Sequence, residues 1–214
     1  MQLGELSNKS GCTVATIKYY LREGLLHPGV KTSSTRAEYD DSHVTRLRLI
    51  RAMVDVGGLS LAVARSVIDV VNDDEATDDQ AIQRAVDRLG PPVTVRDEVG
   101  MAEARGDVAA LVNRKGWHVE DSPTAMDLLA SSLLSLRATF GAEVPADVLE
   151  PYGDIALRLA RDELNSRPEG MSNSDFVAWA VTGTVVFERV LIAWRRLAHA
   201  HVAREIREDA VETD

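Results

Sequence analysis

Hydrophobic residues recur at helical spacing in two short runs near the start of the chain, over residues 3–9 and 13–24. The apolar positions are Leu3, Leu6, Val14, Ile17 and Leu21. Positions three and four apart fall on one face of a helix, so each run predicts a short amphipathic helix. Two such helices joined by a turn that contains Gly11 are typical of a helix-turn-helix.

The polar face of the second helix carries the candidate chemistry. Thr13 is a preferred N-cap residue for this helix, and Gly24 is placed to end it. Cations, hydroxyls and phenols on a short helix suit the major groove of DNA, where they reach phosphates and base edges. The candidate DNA-binding residues on this helix are Thr13, Thr16, Lys18, Tyr19, Tyr20 and Arg22. The alternative is an ordinary pair of surface helices whose tyrosines pack in the core.

A polar segment over residues 27–36 follows, with Pro28 and Gly29 as a turn signal. Residues 37–39 can return as a strand, which predicts a two-stranded wing beside the helix-turn-helix. Lys31 and Arg36 lie in this wing and are candidates for contacts with the phosphate backbone. A plain surface hairpin is the alternative.

The rest of the chain predicts helices throughout. Amphipathic runs up to residue 71 complete a domain at residues 1–72. A hinge with one short helix follows at residues 73–92, where Gly90, Pro91 and Pro92 stop that helix. Further helical runs predict an effector or dimerisation domain at residues 93–214; they cover 96–112, 122–140, 145–164 and 176–206. The predicted fold class is therefore mainly α: a winged helix-turn-helix with a small two-stranded wing, followed by an all-α helical bundle.

Residues 177–187, in the last predicted helix, are nearly all apolar or small. A helix that is apolar on every side has to be buried on every side. We therefore expect this segment to pass through the centre of a bundle or into a dimer interface.

The net charge of −10 is unevenly distributed along the chain. Residues 1–72 carry nine Lys and Arg against seven Asp and Glu, whereas the remainder carries fifteen against twenty-seven. The acidic excess thus lies outside the predicted DNA-binding region, where it matters less than the local charge. The sequence contains no apolar run of bilayer-spanning length and no secretory leader, so we expect a cytoplasmic protein without a membrane segment.

Catalytic and metal-binding patterns are missing from the sequence. Cys12 is the single cysteine, which disfavours sensing of metals by thiolate clusters. His199 and His201 are two residues apart and point in different directions on a helix. We expect no enzymatic activity, no metal and no other cofactor. The aromatic residues of the C-terminal region are candidates to line an apolar ligand pocket, with plain core packing as the alternative; they are Trp117, Tyr152, Trp179, Phe187 and Trp194.

Several motifs in the first third of the chain occur in an order that resembles the MerR family of bacterial transcription regulators. They are residues 17–26, Pro28, Tyr39 to Asp41, residues 44–51 and residues 57–60. The resemblance implies a dimer that binds double-stranded promoter DNA at a palindromic operator. It also implies distortion of an overlong promoter spacer so that RNA polymerase can engage, with plain repression by occlusion as an alternative.

Three positions depart from the family pattern. Arg36 is displaced by one residue from the aromatic-Arg pair of the family's wing, and Lys18 stands where the family commonly has Arg. Family members that activate transcription typically dimerise through a long antiparallel coiled coil, which in this chain is stopped early by residues 90–92. Beyond residue 72 the sequence is only loosely similar to the helical effector domains of TetR-like regulators, which suggests a small organic ligand.

These observations predict a dimeric, sequence-specific DNA-binding regulator whose helical domain responds to a small organic ligand. The alternative is a DNA-binding or architectural protein that needs no effector and whose helical domain is a platform for protein interactions.

Overall fold

Two short helices, α1 (Leu3–Ser10) and α2 (Val14–Arg22), form the predicted helix-turn-helix in the computed structural model of the chain. The structure describes residues 1–33, 36–73, 75–119 and 122–212, without the side chains of 173, 174 and 210–212. Gly11 ends α1 with φ of 68°, a left-handed conformation that favours glycine. The Thr13 hydroxyl oxygen accepts a hydrogen bond from the amide of Thr16, as expected of an N-cap.

The wing consists of two antiparallel strands, β1 (Val30–Lys31) and β2 (Ala37–Glu38). Its tip at residues 34 and 35 lies outside the described residues. The Met1 ammonium group donates to the carbonyl of Tyr39 at 2.6 Å, and the amide of Tyr39 donates to the carbonyl of Met1 at 2.9 Å. These two bonds attach the wing to the residues that precede α1.

Three helices complete the N-terminal region: α3 (Asp41–Arg51), α4 (Leu61–Val71) and α5 (Asp78–Asp87). A short π-helix, Ala52–Val56, extends α3 before Gly57. The apolar faces of these elements meet in one core, which we call the head core. Its fully buried side chains include Leu6, Ile17, Leu25, Leu47, Ile50, Met53 and Val67.

The following part of the chain packs around a second, smaller core. It contains α6 (Glu98–Arg114), α7 (Pro123–Phe140), a 3-10 turn at Ala146–Leu149 and α8 (Glu150–Asn165). Met101, Ala104 and Val108 of α6 face Ala130 and Leu133 of α7. These helices confirm the prediction of a mainly α protein with a winged helix-turn-helix and a helical C-terminal region.

The last helix, α9 (Asn173–Glu212), is 40 residues long and differs in burial between its two halves. Val177, Val181 and Val185 are buried in the head core, so that core is not confined to residues 1–72. Phe187 is 46% exposed, and Trp194 is 67% exposed. The expectation that residues 177–187 are buried on every side is therefore wrong: one face is buried through Val185, whereas Trp179 and Thr182 are half-buried and Phe187 is exposed.

Residues Asp175–Asp209 of α9 are long and apolar enough to cross a membrane by length and composition alone. A mostly buried core helix passes the same test, but only 28% of the most apolar window of this stretch is buried. A single stretch of this kind is weak evidence for a membrane segment.

Candidate nucleic-acid interface

The outer face of α2 presents the polar side chains that the sequence identified. Lys18 and Arg22 are exposed, Thr13 is exposed at the N-cap, and Thr16 and Tyr19 are half-buried. The Thr13 and Thr16 hydroxyls lie 2.8 Å apart, so these two residues define the first turn of the helix. Because the inner face of α2 is fixed in the head core through Ile17, this polar face has one orientation relative to the head.

Tyr20 is a correction to the predicted interface. It is only 5% exposed, and burial raises the pKa of its phenol. Its side chain belongs to the head core and is not available to DNA on the outer face of α2. The signal was present in the sequence, because Tyr20 follows Ile17 by three residues and therefore shares its apolar face.

A groove between α2 and the wing brings three of the predicted cations together. Lys18 of α2, Lys31 of β1 and Arg36 line this concavity of about 300 Å³, which we call the basic groove. All three are exposed, and none of them forms an ion pair with a carboxylate among the described residues. Three uncompensated cations around one concavity favour a phosphate backbone as the ligand.

Arg22, at the end of α2, is held differently from the cations of the basic groove. Its Nε lies 3.4 Å from a carboxylate oxygen of Glu23, and its guanidinium lies 5.2 Å from the centre of the Tyr19 ring. The pair is exposed, and such surface ion pairs contribute little to stability. Arg22 can therefore leave Glu23 for a phosphate or a base edge at little cost.

The turn before α2 is fixed by hydrogen bonds that involve buried side chains. The Ser10 hydroxyl donates to the carbonyl of Leu6 at 2.7 Å and accepts from the amide of Cys12 at 3.3 Å. Arg51 of α3 donates to the carbonyl of Ser10 at 3.1 Å. Cys12 is buried, and burial raises the pKa of its thiol, which disfavours the reactive thiolate.

One group of three potential metal ligands occurs among the described residues: His27, Asp40 and His43, whose donor atoms lie within 4.8 Å of one another. Helix capping accounts for two members of this group, Asp40 and His43, and the ring of His27 contacts the Ser42 hydroxyl. Asp40 is the N-cap of α3, and its carboxylate lies 2.8 Å from Nδ1 of His43. Hydrogen bonds from Ser42 and His43 hold the pKa of Asp40 well below its usual range. The rings of His27 and His43 lie 3.8 Å apart between centres and are tilted by 39° to each other.

The five aromatic residues predicted to line one ligand pocket are not brought together. Trp117 and Tyr152 share a cavity of about 790 Å³ between α6, α7 and α8, which we call the effector cavity. Trp179 lies elsewhere, in a shallow pocket against α3. Phe187 and Trp194 are exposed on α9 and line neither space. Sequence position alone could not show which neighbour each of these side chains meets.

Comparisons with known proteins agree with the geometry of the head. A family model described as MerR HTH family regulatory protein matches residues 1–70. The HTH-type transcriptional regulator ZntR homolog of Haemophilus influenzae is 34% identical over 98 residues, which are 45% of this chain and 70% of that protein. This chain belongs to the MerR family.

A second relative within the MerR family, the HTH-type transcriptional regulator HmrR of Sinorhizobium medicae, is 42% identical over 57 residues. These residues are 27% of this chain and 39% of that protein. The crystal structure of the transcriptional regulator SCO5550 from Streptomyces coelicolor A3(2) is similar over 95% of this chain and 96% of that one. Its TM-score is 0.76, at 33% identity.

Membership of the MerR family confirms that DNA is the partner of this chain and that its activity is regulation of transcription. These relatives are transcriptional regulators, which also confirms the expectation that the chain is not an enzyme.

Proposed function

We propose that this MerR-family regulator acts in the cytoplasm as a homodimer on a palindromic operator, under the control of a small organic ligand. One α2 enters the major groove in each half-site, and each wing contacts the flanking phosphates. The observation that carries the proposal is the basic groove, where α2 and the wing direct Lys18, Lys31 and Arg36 toward one concave surface. RNA polymerase is the partner at the promoter, by analogy with the family.

The second half of α9 supports dimerisation with a second copy of the chain. Six of its exposed apolar residues fall on one face, which we call the α9 stripe: Phe187, Val190, Leu191, Trp194, Leu197 and Val202. Ile192 and Ile206 are also exposed but lie outside this stripe. At 1.5 Å per residue the stripe extends for about 22 Å. From Phe187 to Leu197 these residues recur three and four positions apart, which matches the seam of a helix pair. A symmetric operator needs a symmetric protein, and a second α9 supplies an apolar stripe of the same length.

The position of α9 also offers a route to a dimer. This matters because residues 90–92 end the helix after α4 too early for the family's long coiled coil. The helix that follows α4 ends at Asp87, shortly before the predicted stop at residues 90–92, and is too short for a coiled coil. The 40-residue α9 starts in the head core and extends beyond it. A pair of α9 helices would therefore hold two heads at a distance fixed by helix packing.

The effector cavity supports control by a ligand. Its volume of about 790 Å³ falls in the range of small-molecule sites, and most of its lining side chains are apolar. An alternative without an effector is favoured by the α9 stripe, which could serve a different protein instead of a second copy. Thermal shift against small organic compounds separates the two, because only a ligand-controlled protein is stabilised by one of them.

Selection of bound fragments from a genomic DNA pool tests the DNA-binding proposal. We expect an inverted repeat with a fixed spacing between half-sites. On the selected duplex, Arg22→Ala and Tyr19→Phe should each weaken binding in a mobility-shift assay at physiological salt. Unchanged affinity for both variants, or fragments without two-fold symmetry, would contradict the assignment of α2 and of the dimer respectively.

A further inference from the structure

Helix α8 is the least well packed element around the effector cavity. It buries none of its residues, although apolar side chains repeat along it at helical spacing. Tyr152 is 55% exposed and Ile155 is 43% exposed. Tyr152 and Ala156 line the effector cavity, opposite Leu136 of α7. An amphipathic helix beside a cavity of this size leaves apolar surface for a ligand to cover.

Two cations also line the effector cavity, and they differ in their partners. Lys115, at the end of α6, lies 2.6 Å from a carboxylate oxygen of Asp154 and 3.3 Å from one of Glu150. Its side chain is 13% exposed, and these two carboxylates raise its pKa. Lys115 is therefore neutralised by α8 and serves to attach α8 to α6.

Arg195 of α9 is the other cation, and it has no carboxylate partner among the described residues. Its guanidinium lies 5.7 Å from the centre of the Tyr152 ring. A cation–π contact of this kind holds the guanidinium near the ring and leaves its N–H groups free to donate. An oriented and uncompensated Arg at an apolar cavity is suited to a carboxylate, which it can bind through two parallel hydrogen bonds.

The hydroxyl groups on the α7 wall do not compete for that role. Ser132 donates to the carbonyl of Leu128 at 2.7 Å, and Ser135 donates to that of Ser131 at 2.8 Å. Because their protons are used within α7, these hydroxyls can only accept hydrogen bonds from a ligand. Within the described lining, the free cationic donor for an anionic group is thus Arg195.

We infer that the effector is an apolar carboxylate whose hydrocarbon body occupies the effector cavity and whose carboxylate binds Arg195. This inference rests on the proposed function, since it names the chemical class of the ligand that controls the regulator. The apolar walls from α6, α7 and α8 hold the body, and Tyr152 supports both the body and the guanidinium. A ligand with a cationic head group is excluded from the same position by repulsion from Arg195.

The location of Arg195 connects ligand binding to the head. Arg195 lies on the same continuous helix as Val185, which is buried in the head core, and as Arg189, which donates to the carbonyl of Gly57 at 2.8 Å. A carboxylate that draws Arg195 toward α8 therefore acts on α9 directly. Since α9 also carries the α9 stripe, the same movement of α9 changes the relative position of the two heads in a dimer.

Calorimetric titration of the full chain with three ten-carbon compounds tests the inference. The compounds are decanoate, 1-decanol and decylammonium, which share one apolar body and differ in the charge of the head group. We expect decanoate to bind about tenfold more tightly than 1-decanol, and decylammonium to bind more weakly than either. Arg195→Gln should lower the affinity for decanoate about tenfold and leave that for 1-decanol within about twofold.

Two further variants keep the test specific. Arg196→Gln removes a neighbouring exposed cation of α9 and should leave decanoate binding unchanged. Ala156→Leu fills the effector cavity from α8 and should weaken binding of all three compounds. Tighter binding of decylammonium than of decanoate, equal losses in Arg195→Gln and Arg196→Gln, or no binding of any compound would each overturn the inference. So would dissociation of the dimer by Tyr152→Glu, which would show that a second copy fills the cavity.

Operator binding by the same wild-type samples separates this inference from the proposed function. If the protein binds its operator but not decanoate, the ligand class is wrong and DNA-binding regulation stands. If it binds no operator, the proposed function fails regardless of the calorimetric result.

Discussion

Arg189 of α9 donates a 2.8 Å hydrogen bond to the carbonyl oxygen of Gly57, at the point where the head turns from the π-helix toward α4. The two residues are 132 positions apart in the chain. A Cβ atom placed on Gly57 would lie 2.8 Å from a methyl carbon of Val185, on the same helix as Arg189. The contact between α9 and the Gly57 turn is therefore both close-packed and hydrogen-bonded, and it joins α9 to the DNA-binding head.

The Gly57 contact gives the first testable prediction. Gly57→Ala places a methyl group within 2.6 Å of the Met53 carbonyl oxygen and within 2.8 Å of Val185. Because the Met53 backbone oxygen cannot move away as a flexible side chain could, the turn at Gly57 has to shift, and the contact with Val185 of α9 is disturbed as well. We expect the free energy of unfolding to fall by about 1–3 kcal/mol, as in other overpacked sites. Chemical denaturation of the full chain measures it.

Gly106→Ala is the matched control for that variant. Gly106 lies within α6, and a Cβ atom at this position meets nothing within 4 Å. The same added methyl group should therefore stabilise the protein by about 0.5–1 kcal/mol, because alanine favours the helix. Equal changes in the two variants would show that Gly57 is not a point of close contact.

The helix ends and turns of the head were predictable because they depend on residues that are close together in the sequence. Thr13 caps α2 and Gly11 ends α1, and both roles follow from residue type and from the apolar positions beside them. The strand pair of the wing follows in the same way from the turn signals between its two strands. Tyr20 was misassigned although its spacing from Ile17 placed it on the buried face.

The contacts between elements that are far apart in the chain could not be predicted from the hydrophobic pattern. The apolar spacing of α9 shows that Val177 and Val181 are buried, but it does not show that they meet a head more than a hundred residues earlier. Likewise, Trp117 and Trp179 are both aromatic residues of the C-terminal region, yet they line different spaces. A hydrophobic pattern shows which face of a helix is buried. The tertiary packing decides which other element covers that face.

The N-cap of α3 gives a second prediction, which depends on pH. Asp40→Ala should lower the free energy of unfolding by about 1 kcal/mol at neutral pH, because the amides of Ser42 and His43 lose their acceptor. Since the pKa of Asp40 is depressed in the folded state, its contribution is complete above the unfolded pKa of about 3.9 and is lost as the pH falls toward the lower folded pKa.

The measurement is urea denaturation of wild type and Asp40→Ala at neutral pH and at about pH 3, where the difference between them should shrink. Asp41→Ala is the control. Asp41 follows directly and pairs with Lys9 at 3.5 Å, but its side chain is 87% exposed. Its loss should cost less than about 0.5 kcal/mol at either pH. A difference between wild type and Asp40→Ala that stays constant with pH would show that the charge of Asp40 does not matter.

The basic groove gives a third prediction, which concerns the wing. If Arg36 contacts a phosphate despite its displaced position in the family pattern, Arg36→Ala should weaken operator binding and lower the salt dependence of log K by about one. Lys31→Ala should behave in the same way, because both side chains line the groove. Fluorescence anisotropy with an operator duplex, between about 50 and 200 mM salt, gives both slopes.

Arg161→Ala on α8 is the control for this series, since it removes an exposed cation outside the head. It should leave the salt dependence unchanged. If Arg36→Ala matches that control while Lys31→Ala loses its contact, the displaced arginine of the wing does not contact the DNA.

The α9 stripe gives a fourth prediction, for the dimer. Trp194 lies in the middle of the stripe and is 67% exposed in the single chain. Trp194→Glu would bury an unpaired carboxylate between two copies, which should weaken the dimer by about 2 kcal/mol or more, a change in Kd on the order of thirtyfold. Because Trp194 contributes nothing to the head core, the variant should fold normally. Sedimentation velocity measures the shift toward the monomer.

His199→Glu supplies the control for the dimer, because His199 is exposed on α9 but lies off the stripe. It adds the same charge to the same part of the helix and should leave sedimentation unchanged. A monomer has one head and so one half-site of contacts, which means that Trp194→Glu should also weaken operator binding more than His199→Glu does. An unchanged dimer in Trp194→Glu would place the two-fold interface elsewhere and leave the α9 stripe for a different protein.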